Sequence, residues 1–224
     1  MPTPRATSTP AAAAAAAGSA SIATASPPVR EASSSPLGFI RSGAPDTWYA
    51  ELVVALADSN ARVAVDTSGA PLGALAAGLE QHAPDLMKPN GEELASLTGG
   101  DAVAIEADPA AAAAAAGVLV ARGVGSVLAT LGGSGAVLVT AQGAWHATPP
   151  PTTVVSTVGA GDSSLFGYLL GDLRGAEPAE RLRFAVAYGS AAAGLPGTTI
   201  PTPTHVRPEL VEVRELVLHT ENRG

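Results

Sequence analysis

Apolar residues change their spacing abruptly near position 46 of this chain, and the pattern beyond it predicts alternating helices and strands. Trp48, Tyr49, Leu52, Val53 and Leu56 recur at helical intervals behind Asp46, a residue type suited to cap a first helix. Arg62 to Asp66 is a β-rich run closed by the turn Thr67-Ser68-Gly69, and an Ala/Leu helix is expected over Pro71 to Gln81. Asp85 to Lys88 reads as a short strand ending at Pro89, and Gly91 to Leu97 as a short helix. Asp108 and Pro109 form an N-cap and N1 pair that opens an alanine-rich helix reaching Ala121. Strands follow at Ser126 to Leu131, Ala136 to Thr140 and Ala144 to Ala147. A proline-rich loop, Thr148 to Thr153, leads to helices at Asp162 to Leu173 and Pro178 to Ala193, with a Gly/Pro/Thr loop from Gly194 to Pro203. This alternation is that of βαβ units, so the expected fold class is α/β, a mostly parallel sheet with helices on both faces. Open sheets of that kind bind ligands at the carboxyl ends of their strands.

The first 42 residues lack any such pattern. Of residues 1–36, 29 are Ala, Ser, Thr or Pro, with Arg5 and Arg30 as the only bases and Glu31 as the only acid. Such a segment cannot bury enough surface to order itself. Alanines 11–17 behind Arg5 faintly resemble a signal-peptide core, and the Ser-rich, acid-poor balance faintly resembles a transit peptide. The reading adopted is a disordered or spurious leader over 1–42, with the folded unit at 43–224.

Composition narrows the function classes. With 46% hydrophobic residues but 4% aromatic, 224 residues can bury one sizeable core built from Ala, Val and Leu. The net charge is −8, and the bases are eleven arginines and the single Lys88 without a cluster, which argues against nucleic acid. There is no cysteine, hence no disulfide and no thiolate metal site. No apolar run of eighteen residues exists, so no membrane partner is expected and the location is taken as cytoplasmic.

Three segments carry candidate chemistry. In Ser156 to Leu169 (STVGAGDSSLFGYL), Gly159, Ala160 and Gly161 leave backbone N–H groups unobstructed at a helix start, where the dipole favours an anion, and Asp162 follows as a base. A Gly-rich turn with Asp162 as the helix N-cap explains the same four residues. In Lys88 to Leu94 (KPNGEEL), Asn90 and Glu93 stand three apart at a helix start, where an amide and a carboxylate can hold the water shell of Mg2+. A capping box explains them equally. In Thr130 to Gly135 (TLGGSG), Gly132, Gly133 and Gly135 either admit a nucleotide to the backbone or form a hairpin turn. Asp66 is a further acid on the ligand edge, or the start of a turn. The scattered His82, His146, His205 and His219 give no zinc site, and no P-loop, nucleophile elbow or GxGxxG occurs.

In this order, KPNGEEL, TLGGSG and STVGAGDSSLFGYL resemble the PfkB group of ribokinase-like carbohydrate kinases, and AVDTSGAPL with LMKPNGEELASLTG is most similar to its 1-phosphofructokinase branch. The resemblance runs from about Gly43 to the C-terminus. It implies a ribokinase-like fold without the family's N-terminal strands and lid, and ATP-dependent phosphorylation of fructose 1-phosphate to fructose 1,6-bisphosphate with Mg2+. It makes Asp162 the general base, and Gly159, Ala160 and Gly161 the anion hole. It puts Lys88 near the ATP phosphates, Thr130 to Gly135 along the nucleotide, Asn90 and Glu93 at the metal, and Tyr188, Gly189, Ser190 and Ala192 at the adenine pocket. ATP and a sugar phosphate are the implied partners, with a homodimer as the assembly to be considered. The family's sugar-covering portion has no counterpart before Gly43, so the alternatives are a nucleotide-binding remnant without activity and a non-catalytic interaction protein.

Overall fold

The computed structural model describes residues 21–24 and 44–217. Their strands form one seven-stranded sheet in chain order, β1 (Ser21–Thr24), β2 (Val63–Asp66), β3 (Leu86–Met87), β4 (Ser126–Thr130), β5 (Ala136–Thr140), β6 (Gly143–Thr148) and β7 (Glu212–Leu216). The helices are α1 (Trp48–Leu56), α2 (Gly69–Ala77), α3 (Gly91–Thr98), α4 (Ala102–Ala107), α5 (Pro109–Ala121), α6 (Ala160–Leu173) and α7 (Pro178–Ala193).

The strands are apolar on both faces, and their alternate residues enter different cores. Val63 and Val65 of β2, Val127 and Ala129 of β4, and Val137 and Val139 of β5 share a cluster with Leu72, Leu94, Ala112 and Leu119 from α2, α3 and α5. Ala64, Leu128 and Leu138 turn the other way, onto Leu165 and Tyr168 of α6 and Leu182 and Ala185 of α7. Helices therefore cover both faces, as the α/β reading requires.

β2, β3 and β4 are parallel, joined through α2 and through α3 to α5. From β4 onward the pairing is antiparallel. The physical reason is connection length: short turns link β4 to β5 and β5 to β6, and only antiparallel neighbours can be joined that way. At the other edge β1 pairs antiparallel with β2. Those four residues fall within the expected disordered leader, which is corrected there: the open ladder edge of β2 recruits Ser21–Thr24. The rest of the leader lies outside the described residues.

Helix bounds follow from local chemistry. Asp108 Oδ1 accepts from the N–H of Ala110 at 2.9 Å and Pro109 takes N1, as expected for α5. Asp46 is not the cap of α1; Thr47 stands there, and its hydroxyl donates to Glu51 Oε1 at 2.7 Å. Among the described residues no helix is long and apolar enough to cross a membrane.

Candidate functional site

The residues at the carboxyl ends of β2 and β3 lie at the start of α6. Gly159 is the N-cap of α6 at φ +78°, a left-handed conformation that favours glycine, and no side chain caps this helix. The reading of Asp162 as a helix N-cap is thereby corrected. Asp162 is the third residue of the helix and is exposed. By contrast α3, α4 and α5 are closed by the side chains of Asn90, Asp101 and Asp108.

Lys88 follows β3, and its backbone N–H donates to Val65 O at 3.1 Å. Its side chain is 7% exposed, and its ammonium lies 2.9 Å from Oδ2 of Asp66, itself 17% exposed. The same ammonium faces α6: a Cβ added to Gly161 would stand 3.2 Å from Lys88 Nζ. Burial pushes the Asp66 carboxyl above its ordinary range; Lys88 opposes the rise, and the charge of Asp162 adds to it.

Asn90 and Glu93 form a complete capping box. The Glu93 N–H donates to Asn90 Oδ1 at 2.8 Å, and the Asn90 N–H donates to Glu93 Oε2 at 2.9 Å. Both side chains thus serve the helix already, as the structural alternative held. Burial raises the Glu93 carboxyl, while the Asn90 N–H and the charge of Lys88 lower it and the charges of Asp66 and Glu92 raise it further. Among the described residues no cluster of three or more His, Cys, Asp or Glu is placed to hold a metal ion.

Thr130 ends β4 beside Asn90, to which it is bridged, and its N–H donates to Pro89 O at 3.0 Å. Gly132 to Ser134 form a 3-10 turn, exposed at Gly132 and Gly133, and His146 Nε2 lies 2.8 Å from Ser134 O. Gly135 is buried at φ +91°, where a Cβ would overlap the Ala147 carbonyl oxygen. The β4–β5 hairpin therefore accounts for that glycine, and the exposed pair faces solvent.

Helix α7 buttresses the start of α6. Gly189 lies against Ser164 Oγ and the Ala160 carbonyl, Ser190 is half-buried beside it, and Tyr188 meets Phe166 edge-on at 5.1 Å. Ser164, the fifth residue of α6, donates its hydroxyl to Ala160 O at 3.0 Å. A separate cavity of about 380 Å3, between α2 and α3, shares Glu93 with the site but reaches neither Lys88 nor Asp162. The feature missed from sequence is Asp66 as partner of Lys88; its position on the ligand edge was the only signal.

A sheet covered on both faces, with these groups gathered at its carboxyl edge in this chain order, is the architecture of the ribokinase-like carbohydrate kinases. The chain belongs to the pfkB family of carbohydrate kinases, whose model matches residues 8–205, upstream of the motifs as well as across them. It is 40% identical over 167 residues to the 1-phosphofructokinase of Rhodobacter capsulatus, covering 74% of this chain and 50% of that one. The Bacillus subtilis 1-phosphofructokinase is 35% identical over 156 residues, covering 70% and 49%. Among solved structures, Escherichia coli phosphofructokinase-2 in complex with substrates and products superposes with a TM-score of 0.65 at 32% identity, covering 74% of this chain and 52% of that one. The chain spans about half the length of the curated relatives it matches.

Proposed function

We propose that the chain carries out, or carries the ATP-side machinery for, phosphoryl transfer from ATP to the C6 hydroxyl of fructose 1-phosphate. The observation that carries this reading is the start of α6: no side chain caps it, a buried ammonium rests against Gly161, and an exposed carboxylate follows at Asp162. Phosphoryl transfer asks for in-line positioning and neutralised oxygen charge rather than covalent help. The N–H groups of Gly159 and Gly161 supply donors for the transferring group, each worth about 3 kcal/mol of barrier when preorganised, and that of Ala160, which donates to Thr157 O at 3.3 Å, joins them on releasing that bond. Lys88 adds positive charge on the same side. The attacking hydroxyl gives its proton to Asp162 as its oxygen bonds to the γ-phosphorus, while the bond to the β,γ-bridging oxygen breaks and ADP leaves.

Mg2+ supplies charge neutralisation on the phosphates when bound. The donors present, the Asn90 amide oxygen and the Glu93 carboxylate, are hard oxygens, which fits a hydrated divalent cation shared with phosphates. Asn90 and Glu93 would hold its waters through the lone pairs the capping box does not use. Gly132 and Gly133 give the nucleotide an open backbone, and Ser190 stands on the adenine side. Self-association is proposed with them, on the precedent of the tetrameric inhibited form of Escherichia coli phosphofructokinase-2.

ADP release with Mg-ATP and fructose 1-phosphate, compared with fructose 6-phosphate, tests the reading. Turnover favouring the 1-phosphate supports it. Binding of ATP without turnover would reduce the function to nucleotide binding.

A further inference from the structure

We infer that Asp66 is a positioning residue, whose carboxylate holds the Lys88 ammonium at the opening of α6. This rests on the proposed phosphate site there. An ammonium only 7% exposed, set against the positive end of a helix, is unfavourable on both counts unless a negative partner stands close. Asp66 is that partner at 2.9 Å. Lysine has a flexible four-carbon stem that does not aim itself. Here both ends are fixed by the sheet: Asp66 is the last residue of β2, and the Lys88 backbone is bonded to Val65 of the same strand. Lys88 is also the chain's only lysine, so no second ammonium can take its place.

Charge alone predicts the opposite sign. Removing a carboxylate beside a polyphosphate site relieves repulsion and tightens nucleotide binding. A positioning residue predicts weaker binding, because the ammonium loses its aim.

Calorimetric titration of the full chain with ATP, with Mg2+ and again in EDTA, separates the two. Asp66→Ala is expected to weaken ATP about tenfold in both conditions, the scale of one charge-assisted hydrogen bond, and Asp66→Glu, which keeps a negative acceptor, to stay within about threefold of the parent. Lys88→Met should match Asp66→Ala, and the double variant should be no worse than either. Unchanged or tighter binding by Asp66→Ala, additive losses, or a loss seen only with Mg2+ would overturn the assignment. A parent that binds no ATP would refute the phosphate site itself. Acetylation of Lys88, followed by peptide mapping, then still decides the positioning: Asp66→Ala should speed it several-fold and Asp66→Glu should not, and equal rates would overturn it. Should Asp66→Ala not fold, Asp66→Ser gives the same contrast.

Discussion

Gly167 of α6 lies so close to the carbonyl oxygen of Phe184 in α7 that a Cβ on Gly167 would overlap it. Four residues on, Gly171 approaches the Arg181 backbone. This glycine seam lets two helix backbones meet and sets α6 against α7, and with it the turn before Asp162. Gly167→Ala should lose about 2 kcal/mol by overpacking, read from urea unfolding. Gly117→Ala in α5, where a Cβ meets nothing within 4 Å, should gain about 0.5–1 kcal/mol. Equal effects would show that the seam does not constrain the helices.

Gly161→Ala probes the other end of α6. Its new Cβ would press on the movable tip of Lys88 rather than on backbone, so stability should stay within about 1 kcal/mol of the parent. ATP affinity should fall about tenfold as the ammonium is displaced. Undiminished affinity by titration calorimetry would remove Gly161 from the site.

Asn90 is asked to serve both a helix and a cation. Asn90→Ala should cost about 1 kcal/mol of stability through the lost cap, whereas Asn90→Asp caps as well and should cost little. If Asn90 also acts at the metal, Asn90→Asp will still change the Mg2+ concentration needed for half-maximal ATP binding. An unaltered Mg2+ requirement leaves it a cap.

Burial raises the carboxyls of Asp66 and Glu93 above their ordinary values of 3.8 and 4.5. A carboxyl so raised keeps its proton where the unfolded chain has lost it, so its contribution is fully present below the ordinary value and is lost as pH climbs through the raised one. Glu93→Gln should therefore gain stability relative to the parent as pH rises from about 4 to about 7, measured by denaturant midpoints. A difference independent of pH would contradict the shift.

Much of this architecture was legible because it is local. Asp108-Pro109 announces α5, and Pro178–Ala193 has the length and composition to be read whole. Six-residue α4 was missed: it is too short to show a period, although Asp101 caps it by accepting from the Ala104 N–H. β7 was missed because it is an edge strand, with Glu212, Arg214 and Glu215 where an interior strand would be apolar. At the site, GAGD and KPNGEEL stood out by composition, but the capping box and the N-cap at Gly159 needed backbone geometry. The Asp66–Lys88 pair spans 22 residues and exists only because β2 and β3 lie side by side. Spacing along the chain cannot show that.

The most direct test is the Asp162→Asn variant, assayed for turnover of Mg-ATP with fructose 1-phosphate and for ATP binding in parallel. Loss of the base should cut turnover at least about 100-fold, while ATP affinity stays within about threefold of the parent, since Asp162 touches the proton and not the nucleotide. Undiminished turnover in Asp162→Asn, or ATP binding that disappears with it, would contradict the assignment of α6 as the phosphoryl-transfer site with Asp162 as its base.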